Sequence, residues 1–292
     1  MGTGVPARVS VPDFAAKAAR DQGVLGFSGA CRLLDEGRRW NLSATLEHGG
    51  AVLFPHASIA TCGHQIAAAV HACLDCRADL VLALGVLHAL TPGLRDARTR
   101  VAAGGDPADE ASWGIQGPGV SGRMDWEQEF SLSHFQYLMD IEARRRGVRG
   151  PHVVCRYPFL AGGYPDRLPG MDGLASLVSL GVVVATGDLV HHGIGYGDSP
   201  SVSMFPSRRG LDLARRHIEN GLTILRNGTP GEFHDHCVHV KSDARDVGQV
   251  LRYLLGPLEG RVLDLVADDM AEVYGVASPT WVACALVELC PT

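Results

Sequence analysis

Ala51-Val52-Leu53-Phe54-Pro55-His56 and Asp79-Leu80-Val81-Leu82-Ala83-Leu84-Gly85-Val86-Leu87-His88 are two apolar runs that each give out at a histidine. Short unbroken apolar runs bounded by turn residues are the pattern of strands buried on both faces. Between them a loop containing Gly63 leads into a stretch from His64 to Cys73 with a helical pattern. Strand, helix and strand at this spacing form a βαβ unit, whose crossover is expected to be right-handed. His56 and His88 then stand at strand C-terminal ends, the edge at which open α/β sheets bind ligands. A third stretch, Val182-Val183-Val184-Ala185-Thr186-Gly187-Asp188-Leu189-Val190-His191-His192-Gly193, repeats the plan and adds an aspartate and two histidines.

Outward from this centre, Thr91 to Gly122 is rich in Gly, Pro, Asp and Ala and reads as a long excursion of the kind that covers a site. Helices are expected over Phe130–Arg146, Gly210–Leu225 and Asp246–Leu255, with a short one following the glycine- and proline-rich stretch Ala161–Gly173. Strands are expected at His152–Cys155, Arg261–Val266 and Thr280–Leu289. Asn227-Gly228-Thr229-Pro230 reads as a turn, and Phe233-His234-Asp235-His236-Cys237-Val238-His239 after it is the densest run of metal-ligand residue types. Its alternation is equally that of a strand with an exposed face.

With 292 residues, 46% hydrophobic and 6% aromatic, and with 36 glycines, the chain suits helices packed tightly on a sheet. One α/β domain over residues 1–292 is the expectation. The net charge of -6 is modest, and Arg144-Arg145-Arg146 and Arg208-Arg209 read as solvated faces, so nucleic acid is not an expected partner. No run approaches the roughly 18 apolar residues of a membrane span, and Met1-Gly2-Thr3-Gly4-Val5-Pro6 lacks a leader pattern, so a cytoplasmic location without membrane contact is expected. Eight irregularly spaced cysteines suit reduced thiols, with Cys73-Leu74-Asp75-Cys76 reading as helix-end residues rather than a redox pair.

Two fixed imidazoles plus one anionic ligand leave positions open for substrate and oxygen, as in non-haem iron oxygenases. The third ligand expected is Cys237, which stands among polar residues, with His236 as the alternative. A carboxylate would give the ordinary facial triad, whereas a thiolate would soften the site toward zinc or copper. Asp188 and His191 form the candidate acid/base pair, the carboxylate orienting the ring. The blander alternative makes Asp188 a turn cap and His191 a packing residue.

These segments together resemble the Memo-like proteins, relatives of the class III extradiol ring-cleaving dioxygenases. The family's Pro-His-Ala-Gly and Cys-Gly segments are similar to Pro55-His56-Ala57-Ser58 and Cys62-Gly63, and its Leu-Gly-Pro-Ser-His segment to Leu84-Gly85-Val86-Leu87-His88. Its Glu-His-Ser-Ile-Glu start resembles Glu129-Phe130-Ser131-Leu132-Ser133, and its Ser-Ser-Asp-Phe-x-His-Trp-Gly motif resembles Thr186 to Gly193. Its closing strand is similar to Thr280-Trp281-Val282-Ala283-Cys284-Ala285-Leu286. Ala89, Phe130 and Ser133 depart from the family pattern and imply a remodelled pocket.

The resemblance implies a single three-layer α/β/α domain with a mostly parallel or mixed central sheet. It carries over His56, His88 and Cys237 as ligands of Fe(II), with Cu or Zn as alternatives, and places Asp188 and His191 in the cleft. Glu129 would hydrogen-bond substrate or a ligand. The activity implied is an oxygenase using O2 on a small organic molecule; apart from the resemblance, a symmetric homodimer is the commonest default for a soluble chain. A peptide-binding or redox-signalling protein and a zinc hydrolase are the rival readings.

Overall fold

The computed structural model describes residues 11–88, 91–120 and 129–292. The N-terminal stretch inspected for a leader, Ala89, and the Ser121–Gly122 end of the expected excursion lie outside the described residues. Helix α1 (Val11–Gly37) and the short α2 (Ser43–Glu47) precede β1 (Ala51–Phe54), α3 (Ile59–Asp75) and β2 (Leu80–Leu84). Then come α4 (Pro92–Ala102), β3 (Gly114–Gln116), α5 (Ser133–Arg146), β4 (His152–Phe159), α6 (Met171–Val178), β5 (Val182–Thr186) and β6 (Val190–Gly193). The chain closes with α7 (Arg208–Asn227), α8 (Pro230–His239), α9 (Arg245–Leu255), β7 (Leu258–Asp269), α10 (Ala271–Tyr274) and β8 (Thr280–Pro291).

The strands form one mixed, open sheet. β4, β2, β5 and β1 lie side by side in that order and parallel, so their C-terminal ends share one edge. β3 borders β4, and β8 runs antiparallel to β1. β7 covers one edge of β8 along its length, while β1 and β6 follow one another along the other.

Side-chain alternation along the strands divides the core into two layers. Val52 and Phe54, with Val81, Ala83 and Val184, face α1, α3 and α5; Phe54 stacks on Phe135 at 5.2 Å. Ala51 and Leu53, with Leu82, Leu84 and Val183, face α6, α7, α8 and α9. Helices thus cover both faces of the sheet, as the apolar runs required.

Three expectations need correction. Gly63 is not in a loop: α3 starts at Ile59, and Gly63 is a contact point where an added Cβ would meet Leu33 at 2.5 Å. The excursion from Thr91 is not structureless, because Thr91 caps α4 through its side chain and Pro92 sits in the first turn, where a missing N–H costs nothing. Phe233–His239 is not strand-like but the body of α8, begun by a capping box in which Thr229 and Glu232 satisfy each other's backbone N–H groups.

Helix α1 was not anticipated. It is two helical segments joined at Gly26, whose φ of 61° and ψ of -179° lie where L side chains are strained. The second segment buries Ala30, Leu33 and Leu34 in the core. The first presents Phe14, Lys17, Ala18 and Asp21, one face at helical spacing, to the cavity described next.

Candidate metal centre

The chain leaves β5 at Thr186 and must cross the end of β1 to reach β6 beside β8. Gly187 and Asp188 make that crossing, with the Gly187 N–H donating to the Phe54 carbonyl at 3.0 Å and the His56 N–H to Asp188 Oδ1 at 3.3 Å. Against this crossing lies the turn between α8 and α9. Gly187 is needed there, because an added Cβ would come within 2.4 Å of the Ala244 Cβ. The two segments lock together: Asp188 N–H donates to Asp243 Oδ1 at 2.7 Å, and Ser242 Oγ donates to the Asp188 carbonyl at 3.0 Å. Asp243 is thereby brought to His56.

Three side chains from separate elements converge. His56 Nε2 stands 3.1 Å from Asp243 Oδ2, and His56, His88 and Asp243 each place a donor atom within 4.8 Å of the others. Asp243, with Asp188 and His191, forms a second such group.

Each imidazole is fixed from behind by an oxygen. Thr186 Oγ1 donates its proton to the Phe54 carbonyl at 2.9 Å, so toward His56 Nδ1, 3.1 Å away, it acts as acceptor. His88 Nδ1 donates to Glu129 Oε1 at 3.0 Å, and His191 Nδ1 donates to the Lys241 carbonyl at 2.6 Å. With Nδ1–H engaged, Nε2 is the atom each ring leaves for a metal ion or a proton, the arrangement by which an outer oxygen orients a metal-binding histidine. Lys241 holds a φ of 58°, a strained value for a non-glycine residue that turns its carbonyl to this task.

Charge separates the acids. Burial pushes Asp188 and Asp243 up; the flanking His56 overcomes this at Asp243 and holds it well below the usual carboxylate range, while Asp188 stays raised. Burial alone would lower His56, but Asp188 and Asp243 carry its pKa to about 9. The cation-free ring therefore carries a proton that a metal ion would replace. Glu129, fully enclosed, is lowered by His88 and by backbone N–H groups in spite of its burial.

Above these residues is a cavity of about 220 Å³. Phe130 stacks on His88 at 4.2 Å and on Phe14 at 5.5 Å, and Tyr196 meets His191 at 4.6 Å and Tyr274 at 4.9 Å. Among the described residues it is the first segment of α1, not the Thr91 excursion, that roofs the site.

Of the sequence candidates, His56, His88, Asp188, His191 and Glu129 gather here. Cys237 does not. On α8 it shares the inward face with Phe233, lies 1% exposed in the layer formed with Leu222 and Val240, and belongs to neither donor group. Burial pushes its thiol up to about 12. His236 is half-buried beside Asn220 at 3.4 Å and is likewise outside both groups. The orienting role expected of Asp188 toward His191 is also corrected: the Lys241 carbonyl holds that ring, and Asp188 Oδ1 accepts from the His56 backbone. His192 faces away, accepting from the Met204 N–H at 2.9 Å. Cys73 and Cys76 end α3 as expected, and all eight cysteines are free.

Asp243 was missed because one aspartate in Lys241-Ser242-Asp243 looks like turn chemistry. Its place directly ahead of α9 was the available signal, since that is where the resemblance puts the third ligand. Among the described residues, no helix is long and apolar enough to cross a membrane. Comparison with protein-family profiles and with curated proteins finds no match to this chain.

Proposed function

We propose that the chain is a non-haem iron(II) oxygenase acting with O2 on a small organic substrate, with the metal held by His56, His88 and Asp243. The observation that carries this reading is the donor triplet itself, two imidazoles and a carboxylate from three elements. Adjacent ligands on an ion with bonds of about 2.1 Å lie about 3 Å apart, and His56 Nε2 to Asp243 Oδ2 is 3.1 Å. A carboxylate in place of the expected thiolate moves the preference away from copper, and two histidines with one carboxylate are the characteristic set of iron(II) oxygenases, shared with some zinc hydrolases. The likeness to Memo-like proteins and extradiol dioxygenases points the same way.

Iron bound there would supply a Lewis acid and a path for electrons between substrate and oxygen. The protein's own work is done around it. His191, with Nδ1–H committed to Lys241, offers the Nε2 lone pair to a substrate proton. Glu129 fixes His88 against the side wall. Phe14, Phe130, Tyr196 and Tyr274 present a mostly apolar lining that excludes water from a molecule of modest size.

Protein freed of metal and loaded anaerobically is expected to retain iron(II), and on admission of oxygen with a panel of small phenols to consume O2. His88→Ala abolishes both. Full iron retention by His88→Ala, or zinc as the sole metal of protein purified without additions, would overturn the reading.

A further inference from the structure

Asp243 is a member of two donor groups, His56–His88–Asp243 and Asp188–His191–Asp243. As the side chains stand, one ion does not reach all five. Opposite ligands on an ion with bonds of about 2.1 Å are only about 4.2 Å apart, yet no group of atoms within 4.8 Å unites His88 with Asp188 or His191.

The second group is held by the backbone as well. Backbone N–H groups hold one oxygen of each carboxylate, Asp188 Oδ1 from His56 and Asp243 Oδ1 from Asp188. Within the second group Asp243 Oδ2 is 3.9 Å from His191 Nε2, while Asp188 Oδ2 lies 3.7 Å from His56 Nε2 of the first. Asp188 is 4% exposed. Among the described lining residues no unpaired ammonium or guanidinium faces these carboxylates. Lys17, the one basic side chain among the described lining residues besides histidine, is paired with Asp21.

We propose that Asp188, His191 and Asp243 form a second, weaker site for a divalent transition cation such as zinc, sharing the Asp243 carboxylate with the first, and that filling it inhibits the enzyme. An imidazole and two carboxylates suit zinc, and a shared carboxylate is compatible with ions about 3.5–4 Å apart. Inhibition follows because the Nε2 lone pair that takes the substrate proton becomes a ligand. Activity then rises to the first equivalent of metal and falls with excess.

This inference rests on the metal-centre reading, and metal stoichiometry separates the two. Zinc(II) titrated calorimetrically into metal-free full-length protein is expected to bind in two steps. In His191→Asn and, independently, Asp188→Asn, both checked for folding by circular dichroism, the second step weakens at least about 100-fold, beyond the usual cost of losing a ligand's outer partner. The first step remains. Manganese(II) at two equivalents should give the exchange-coupled resonance of a close pair in wild type only. A single step in wild type, or two steps unchanged in both variants, would overturn the second site and leave the first standing; no binding at all would overturn both.

Discussion

Two kinds of buried titratable group lie within this molecule, and they behave oppositely. Cys237 and His134 are enclosed without a countercharge close enough to hold their ionised forms: burial pushes the thiol up to about 12 and the imidazole down to about 4. Glu129 is enclosed as deeply and Asp243 is half-buried, yet each faces a histidine that holds its pKa below the usual carboxylate range. Burial without a partner neutralises a group; an imidazole at hydrogen-bond distance preserves an anion. Only the second kind can present a ready ligand or orient one. Six positions separate Cys237 from Asp243, and the direction each faces decides between the two fates.

The sharpest break of this contrast is to remove the charge at Asp243. Asp243→Ala is expected to weaken metal binding well over 100-fold, more than loss of an outer partner does, read by equilibrium dialysis with iron(II) or zinc(II). Unchanged affinity would remove Asp243 from the centre.

The next effect comes from His134, which lies 3% exposed with Gln22 at 3.0 Å. Its folded pKa is lowered, so above about pH 6.5 neither state holds the extra proton and nothing is lost. As pH falls from there toward 4 the unfolded chain takes up the proton first and stability declines, by at most about 3 kcal/mol from this group. Urea midpoints at pH 5 and 7 should converge in His134→Asn relative to wild type; an unaltered acid slope would mean that the ring is not buried neutral.

Thr186→Val takes the acceptor from His56 Nδ1 while keeping the shape of the side chain. Metal affinity should fall about 10- to 100-fold, and Thr186→Ser should restore most of it. The smallest change is expected of Cys237→Ala, which costs about 1 kcal/mol of stability through the small void it leaves and leaves metal binding as it was. A loss of metal in Cys237→Ala would reverse the comparison.

The strands were legible because β1, β2 and β5 are short, apolar up to their last residue or beyond, and cut off by turns, which admits few other readings. The sheet edge then placed His56, His88 and Asp188 together. Cys237 was misplaced because the histidines around it suggested a polar strand, although Thr229-Pro230-Gly231-Glu232 already spelled a helix start. Asp243 becomes a ligand only where Gly187 lets two loops meet, a long-range contact with no local periodicity. The roof was hidden for a similar reason: the stripe Phe14, Lys17, Ala18 and Asp21 is followed by Gly23, Gly26 and Gly29, which argue locally against a continuous helix.

Anomalous scattering at the iron edge from crystals grown anaerobically with iron(II) tests the central claim most directly. The arrangement predicts a peak within about 2.2 Å of His56 Nε2, His88 Nε2 and Asp243 Oδ2. A cleft without a peak, or iron on Cys237, would contradict it.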